Sequence, residues 1–379
     1  MEAVIAGRPT RARIDLNVLV ANFRAIAAWT AEGAAASGRP APGVVAVVKA
    51  NAYGHGAVRV ALALQAAGAP MLACADIEEA VALREAGVTV PILVFGALSV
   101  GDLDGIFTHR LTPAVATPSA AVALGDAAAR RGVRLRCHLK IDTGMNRLGF
   151  RHDNLRRTLP PVAASPHLQV EAVFTHFATA DVAGDPDFDK QRARFDAVGP
   201  VLAEIGIVPA AWHAANSAAI IRDARTHYDA VRPGLVLYGV PPLPTTMPVE
   251  PVMSLTSRIV AVKGLRPGEG VSYGLRFRPD TPRTIAVVPC GYADGIDIRL
   301  GGRGAVLVRG RRAPVVGAVC MDMFMVDVTG FGAEIGDEVV IIGRQGAERV
   351  TVGEMAATIG TIPYELLCRV GHRIERVYE

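Results

Sequence analysis

From Val44 to Tyr238 the chain alternates short apolar runs with segments of helical pattern, and this alternation limits the fold more than any other feature. The runs are VVAVV (44–48), MLACA (71–75), VPILVF (90–95), TPAV (112–115), RLRCHLKI (134–141), VEAVFTH (170–176), AWHAA (211–215) and YDAVR (228–232). Near-continuous apolar runs of this length suit strands buried on both faces. Between them DIEEAVALREAG offers Asp76 as a helix cap, with Ala80 and Leu83 at helical spacing. TPSAAVALGDAAARRG offers Thr117 as a cap and Pro118 at the first helical position. Eight strands alternating with helices over some 200 residues fit a closed (β/α)8 barrel. An open doubly wound sheet competes, but no GxGxxG opens the first helix.

The segment PPLPTTMPVEPV (Pro241–Val252) holds five prolines and reads as a stiff linker. Beyond it, runs such as SLTSRIVAVKGL, TIAVVPCGYADG and GDEVVIIG are valine-rich and broken by glycine, so an all-β domain follows. A short tail helix is expected near Thr351–Ile359. The fold class is therefore α/β: an N-terminal TIM-like barrel over residues 11–242, then a C-terminal β domain over 243–379, with residues 1–10 able to pack beside the latter.

Composition removes several classes of function. A net charge of +4 over 379 residues, with no Lys/Arg run, marks no nucleic-acid surface. No apolar stretch reaches the ~18 residues of a membrane helix. The N-terminus lacks the pattern of a signal peptide. The five cysteines (Cys74, Cys137, Cys290, Cys320, Cys368) are dispersed, without a CxxC pair. They read as reduced thiols of a cytoplasmic protein, not as disulfides or metal ligands.

In a barrel of this type the C-terminal strand ends share one mouth, where active sites sit. The first run ends at Lys49, the fifth at Lys140 and the sixth at His176. The seventh leads into Asn216-Ser217, and the eighth ends at Arg232. Taken singly, each has a structural explanation; together they describe a site. It has no carboxylate pair, no Ser-His-Asp order and no metal cluster. What remains is an amine nucleophile beside anion-binding elements. Asn216-Ser217 opens a helix whose free N–H groups suit a phosphate, and Gly234 lets backbone approach a ligand. A lysine with a phosphate cradle points to a Schiff base with a phosphorylated aldehyde. Pyridoxal phosphate fits, and so does the substrate of a barrel aldolase.

VKANAYGHG (48–56) resembles the cofactor-lysine signature of the alanine racemases. KIDTGMNRLGF, VFTHFATAD, HAANSAA, RPGLVLYG, VSYG, GYADG, VCMD and IPYE follow in the family's order and cover nearly the whole chain. The resemblance implies a pyridoxal-phosphate-dependent isomerase that interconverts L- and D-alanine by a two-base mechanism. Lys49 would carry the cofactor and serve one face of Cα, and Tyr273 would serve the other. Tyr53, Ser217, Gly234, Leu235 and Tyr364 would hold the phosphate, with Asn216 beside them. Arg147 would face the cofactor's phenolic oxygen, His176 its ring and Arg232 its pyridine nitrogen. Arg147, Tyr292 and Met321 would line the substrate position, and Lys140 would be carbamylated to N6-carboxylysine.

The family's Tyr273 equivalent reaches across from a second subunit, which implies a homodimer with shared sites. A line from Tyr273 through His176 to Arg232 would favour the phenolate. Supply of D-alanine to peptidoglycan is the implied role. In one place the chain departs from the family's pattern: Ala318 stands where an arginine often precedes the CMD motif, which changes the charge of the substrate corridor. Competing readings are a racemase that also accepts serine, a barrel amino-acid decarboxylase and a pyridoxal-phosphate-binding regulatory protein.

Overall fold

The computed structural model describes residues 7–96 and 103–379. The chain divides into two compact units, one of residues 19–52 and 57–249, the other of residues up to 18, 53–56 and 250–379.

The first unit is the barrel. All eight apolar runs form strands: β2 (Gly43–Val47), β3 (Met71–Cys74), β4 (Ile92–Val94), β5 (Thr112–Val115), β6 (Leu135–Asp142), β8 (Leu168–Phe174), β9 (Ala211–His213) and β10 (Ala230–Val231). A two-residue strand, β7 (Phe150–Arg151), pairs with β6 outside the ring. The order β5-β4-β3-β2-β10-β9-β8-β6 is parallel throughout and closes through a β5–β6 pairing. Leu72, Ile92, Leu93 and Val94 are fully buried, each contributing ~1.5–3 kcal/mol of transfer free energy except as packing modifies it. Both proposed caps form: Asp76 accepts from Glu79 N, and Thr117 from Ala120 N with Pro118 following.

The strands of the second unit are β1 (Arg11–Ile14), β11 (Met253–Arg258), β12 (Ala261–Leu265), β13 (Arg283–Val288), β14 (Ala305–Val308), β15 (Arg311–Val316), β16 (Phe324–Asp327), β17 (Glu338–Gln345), β18 (Glu348–Val350) and β19 (Glu375–Tyr378). They form a sheet ordered β12-β13-β16-β15-β14-β17-β11-β1-β19, with β18 on β17. The tail helix spans Val352–Ile359, capped by Thr351.

The sequence division starts the barrel at residue 11, yet β1 lies in this second sheet, between β11 and β19. RARI alternates exposed and buried positions, as a strand with one solvated face does. Residues 7–10 join the same unit: Arg8 forms two hydrogen bonds with Asp294 (2.7 and 3.0 Å), and Thr10 bonds to Ser257. Residues 1–6 lie outside the described residues. Among the described residues no helix is long and apolar enough to cross a membrane.

Candidate active site

Because the eight strands are parallel, their C-terminal ends face one side. β6, β8 and β9 pair so that Lys140 lies level with Phe174, and Phe174 level with His213. Phe174 acts as a platform. His213 stacks on its ring at 4.9 Å with the planes 4° apart. The Arg232 guanidinium lies 5.3 Å and the Lys140 ammonium 5.8 Å from the ring centre.

Lys49 follows β2 and opens an unusual segment. Ala50, Asn51, Ala52 and Tyr53 all have φ between +52° and +54°. Left-handed backbone costs an ordinary L-residue ~1–2 kcal/mol, and such strain concentrates at functional sites. Specific bonds hold the segment in place. Ala52 N donates to Val48 O at 2.9 Å. Glu79 accepts from Ala50 N (2.5 Å) and Ala75 N (2.9 Å), and Asn51 Oδ1 accepts from Ala57 N (2.8 Å).

Arg232 is almost fully buried. Its Nη2 donates to Thr175 O (2.6 Å) and Ala214 O (2.9 Å), and its Nη1 donates to His213 Nδ1 (2.8 Å). A guanidinium has no acceptor, so His213 must accept at Nδ1. Burial, with Arg232 and His138 adding to it, holds His213 well below its ordinary pKa, so the ring is neutral with its proton on Nε2. That proton is donated to His138 Nδ1 at 3.0 Å. Burial, Arg232 and Arg136 press His138 down to about 4. The result is a one-way chain from Arg232 to His213 to His138. Burial lowers Arg232 itself to about 9, which leaves it cationic at neutral pH. The expected line from Tyr273 through His176 ends on Arg232, and the imidazole bonded to that guanidinium is His213. For His138 the spacing in HLK carries a signal: His138 and Lys140 are two residues apart, on one face of β6.

His176 follows β8. Burial, then Arg232, Arg147, Lys140 and Lys49 in turn, keep it well below the ordinary histidine range. Lys140 is buried and brought down to about 8 by burial, Arg147 and Arg232, against an opposing pull from Asp142. Arg147 is exposed, in the loop after β6. Asp142 Oδ1 shapes that loop by accepting from Gly144 N and Asn146 N.

Ser217 Oγ accepts from Gly234 N (2.9 Å) and Val236 N (3.3 Å). With both lone pairs engaged, its proton is left to donate elsewhere. Asn216 caps the short helix Ser217–Arg222 through Ala219 N and donates to Phe177 O. Leu235 opens the buried 3₁₀ turn Leu235–Tyr238. This donor set fits pyridoxal phosphate: the Arg232 and Lys140 charges crowd one ring at the mouth, and the Ser217 hydroxyl is bonded to Gly234 N, two residues beyond Arg232. An anion with a phosphate and a phenolate oxygen relieves that crowding.

The other expected residues belong to the second unit. Tyr53 and Tyr364 pack with ring centres 5.9 Å apart. Tyr273 opens a 3₁₀ turn (Tyr273–Leu275) and is 75% exposed. Ser272 anchors the turn by donating to Ala318 O at 2.8 Å. Tyr273 and Met321 line one cavity of about 600 Å³. Tyr292 N donates to Cys320 O, and Ala293 N to Met321 O. A side chain at Gly291 would place a Cβ 2.3 Å from Met321 O, so only glycine permits this approach.

Residues 14–242 match the family model described as alanine racemase, N-terminal domain, and residues 252–378 the model for its C-terminal domain. The chain belongs to the alanine racemase family. An alanine racemase from Symbiobacterium thermophilum is 43% identical over 98% of this chain and 97% of its own length. The crystal structure of alanine racemase from D-cycloserine-producing Streptomyces lavendulae superposes with a TM-score of 0.93 at 36% identity, covering 99% of this chain and 98% of that one. That of Bartonella henselae alanine racemase, with covalently bound pyridoxal phosphate, has a TM-score of 0.87 at 28% identity, covering 98% of this chain and 99% of that one. The activity is alanine racemisation, the work of a pyridoxal-phosphate-dependent isomerase. Nothing in these likenesses favours a decarboxylase, a regulatory protein or a serine-accepting racemase.

Proposed function

We propose that this chain racemises alanine with Lys49 and Tyr273 as its two bases, supplying D-alanine for peptidoglycan in the cytoplasm. The observation that carries the site assignment is the barrel mouth, where the Arg232 guanidinium and the Lys140 ammonium lie 5.3 and 5.8 Å from the Phe174 ring centre and Arg232 is bonded to His213. Bound pyridoxal phosphate supplies electron withdrawal from Cα. Lys49 would hold it, with the Ser217 hydroxyl and the backbone at Gly234 and Leu235 toward the phosphate and Asn216 setting the helix start. Tyr53 and Tyr364 are the family's further phosphate residues. Arg147 would meet the phenolic oxygen, and His176 would pack beside the ring.

Arg232 would give a hydrogen bond to the pyridine nitrogen without giving up its proton. His213 already accepts from it, and the guanidinium stays charged at neutral pH. An unprotonated pyridine withdraws fewer electrons, which favours prompt return of the Cα proton over transamination. Lys49 would then exchange a proton on one face of Cα and Tyr273 on the other. Tyr273 is exposed on its own unit, which supports its serving, with Met321, the site of a partner subunit in a homodimer, while Tyr292 would line the substrate position.

Lys140 is suited to carbamylation. At a pKa of about 8, roughly a tenth of it is neutral at pH 7. The neutral nitrogen attacks the carbon of carbon dioxide and releases one proton to solvent. The resulting anion would neutralise part of the cationic crowd and orient Arg147. The overall test is incubation of the holoenzyme with L-alanine and, separately, L-serine, followed by chiral chromatography. Equal D- and L-alanine at equilibrium is expected, and carbon dioxide release or no D-alanine would overturn the reading.

A further inference from the structure

The barrel has a second charged cavity, at the end away from the mouth. Pro91 before β4, Thr112 at the start of β5 and Leu135 at the start of β6 line it, and its volume is about 690 Å³. Five arginines also line it: Arg84, Arg110, Arg131, Arg134 and Arg136. Two of these have carboxylate partners, Arg131 with Asp104 and Arg136 with Glu171. Arg131 also lies over the Phe107 ring at 4.4 Å.

Arg84 is different. Its half-buried guanidinium donates to four carbonyl oxygens, those of His109 (3.0 Å), Val88 (2.8 Å), Val90 (2.7 Å) and Arg110 (3.4 Å). Those carbonyls orient the charge without neutralising it. Burial and the neighbouring Arg110 both disfavour its charged form. Arg110 is held nearby at φ +51°, a left-handed conformation uncommon for arginine. Arg110 and Arg134 are exposed, so their side chains are free to turn toward a ligand.

We infer that this cavity binds a phosphate-class oxyanion, with Arg84 as its fixed positive wall and Arg110 and Arg134 as closing donors. An oxyanion between them would convert like-charge repulsion into charge-assisted, planar hydrogen bonds. No residue of the proposed catalysis lies here, and the N-terminal face of such barrels is not where chemistry is done. The site is thus a binding site distinct from the cofactor's phosphate cradle and goes beyond the racemase reading.

The test uses holoenzyme, whose cofactor already covers the mouth. Isothermal titration with inorganic phosphate and with pyrophosphate, at constant ionic strength, is expected to give one saturable site per chain. Arg110→Gln with Arg134→Gln should weaken it at least about tenfold, since two charge-assisted donors are lost. Racemisation and the cofactor's visible absorbance should not change, which separates this site from the mouth and from the racemase reading itself. Both positions are exposed, so the variant should fold, and its circular dichroism would verify that. No saturable binding up to about 10 mM, a free energy weaker than roughly 3 kcal/mol, would overturn the inference. So would equal affinity in the wild type and the double variant.

Discussion

The barrel mouth and the Tyr273 surface of the β unit differ in how their functional residues are held. At the mouth, Arg232 is buried and fixed by three hydrogen bonds, and Ser217 is locked by two backbone donors. Around Tyr273 the turn is anchored by Ser272, yet the side chain stands in solvent, near a half-exposed Met321. One region is organised before any ligand arrives. The other presents apolar and phenolic groups with nothing of its own unit covering them. Pre-organisation of this kind serves binding and charge placement. An exposed base becomes effective only when a surface closes around it.

The largest loss is expected at Lys49. Lys49→Ala should abolish racemisation and the visible absorbance of lysine-bound cofactor after dialysis. Borohydride reduction of wild type should fix pyridoxyl on Lys49; label on Lys140 would move the cofactor's anchor to β6. Tyr273→Phe comes next. Loss of one base should cost about 10²–10⁴ in rate and suppress deuterium uptake from heavy water with one enantiomer more than the other. Mixing inactive Lys49→Ala chains with inactive Tyr273→Phe chains should restore activity in heterodimers. No recovery in verified heterodimers would place both bases on one chain.

Much of this contrast is legible in residues. The eight barrel strands are visible because parallel strands covered on both faces need continuous apolar runs, and VVAVV or MLAC cannot be solvated faces. The strand-end polar groups stand out against those runs. His213 did not, because AWHAA reads as plain apolar strand, and only burial beside Arg232 gives its imidazole a partner. The left-handed segment after Lys49 is nearly as hidden: Asn51 alone is of a type that visits positive φ readily, while Ala50 and Ala52 carry no sign of it, and bonds to Glu79 and Ala57 hold the segment. β1 is hidden for another reason. Four residues of alternating pattern are too few to mark a strand, and the neighbours of RARI, β11 and β19, lie some 240 and 360 residues away.

A gentler change tests the charge balance at the mouth. Lys140→Gln removes the amine while keeping a polar side chain, and activity should fall about tenfold if the carbamate orients Arg147. Labelled bicarbonate should give a carbamate carbon signal in wild type that the variant lacks. Added short carboxylates should recover part of the lost rate. Normal activity in the variant, with no wild-type signal, would make Lys140 an ordinary buried amine.

The smallest effect is expected from His138, the far end of the Arg232–His213–His138 chain. Its pKa in the folded protein is about 4, against an ordinary value near 6.5. Between those values the unfolded chain binds a proton that the folded chain refuses, so stability rises with pH across this window. The contribution is complete above about 6.5 and is lost as pH falls toward 4. His138 can contribute at most about 3 kcal/mol, and its measured share should be smaller because His213 titrates in the same direction. His138→Gln keeps an acceptor for the His213 Nε2–H without taking up a proton. Denaturant unfolding at pH 5 and pH 7 should therefore show a smaller difference in the variant than in wild type. Activity at pH 7 should fall only a few-fold, since Arg232 keeps its bonds to Thr175 O and Ala214 O. An unchanged pH slope would mean that His138 is protonated in the folded protein. The tautomer chain from Arg232 would then run no further than His213.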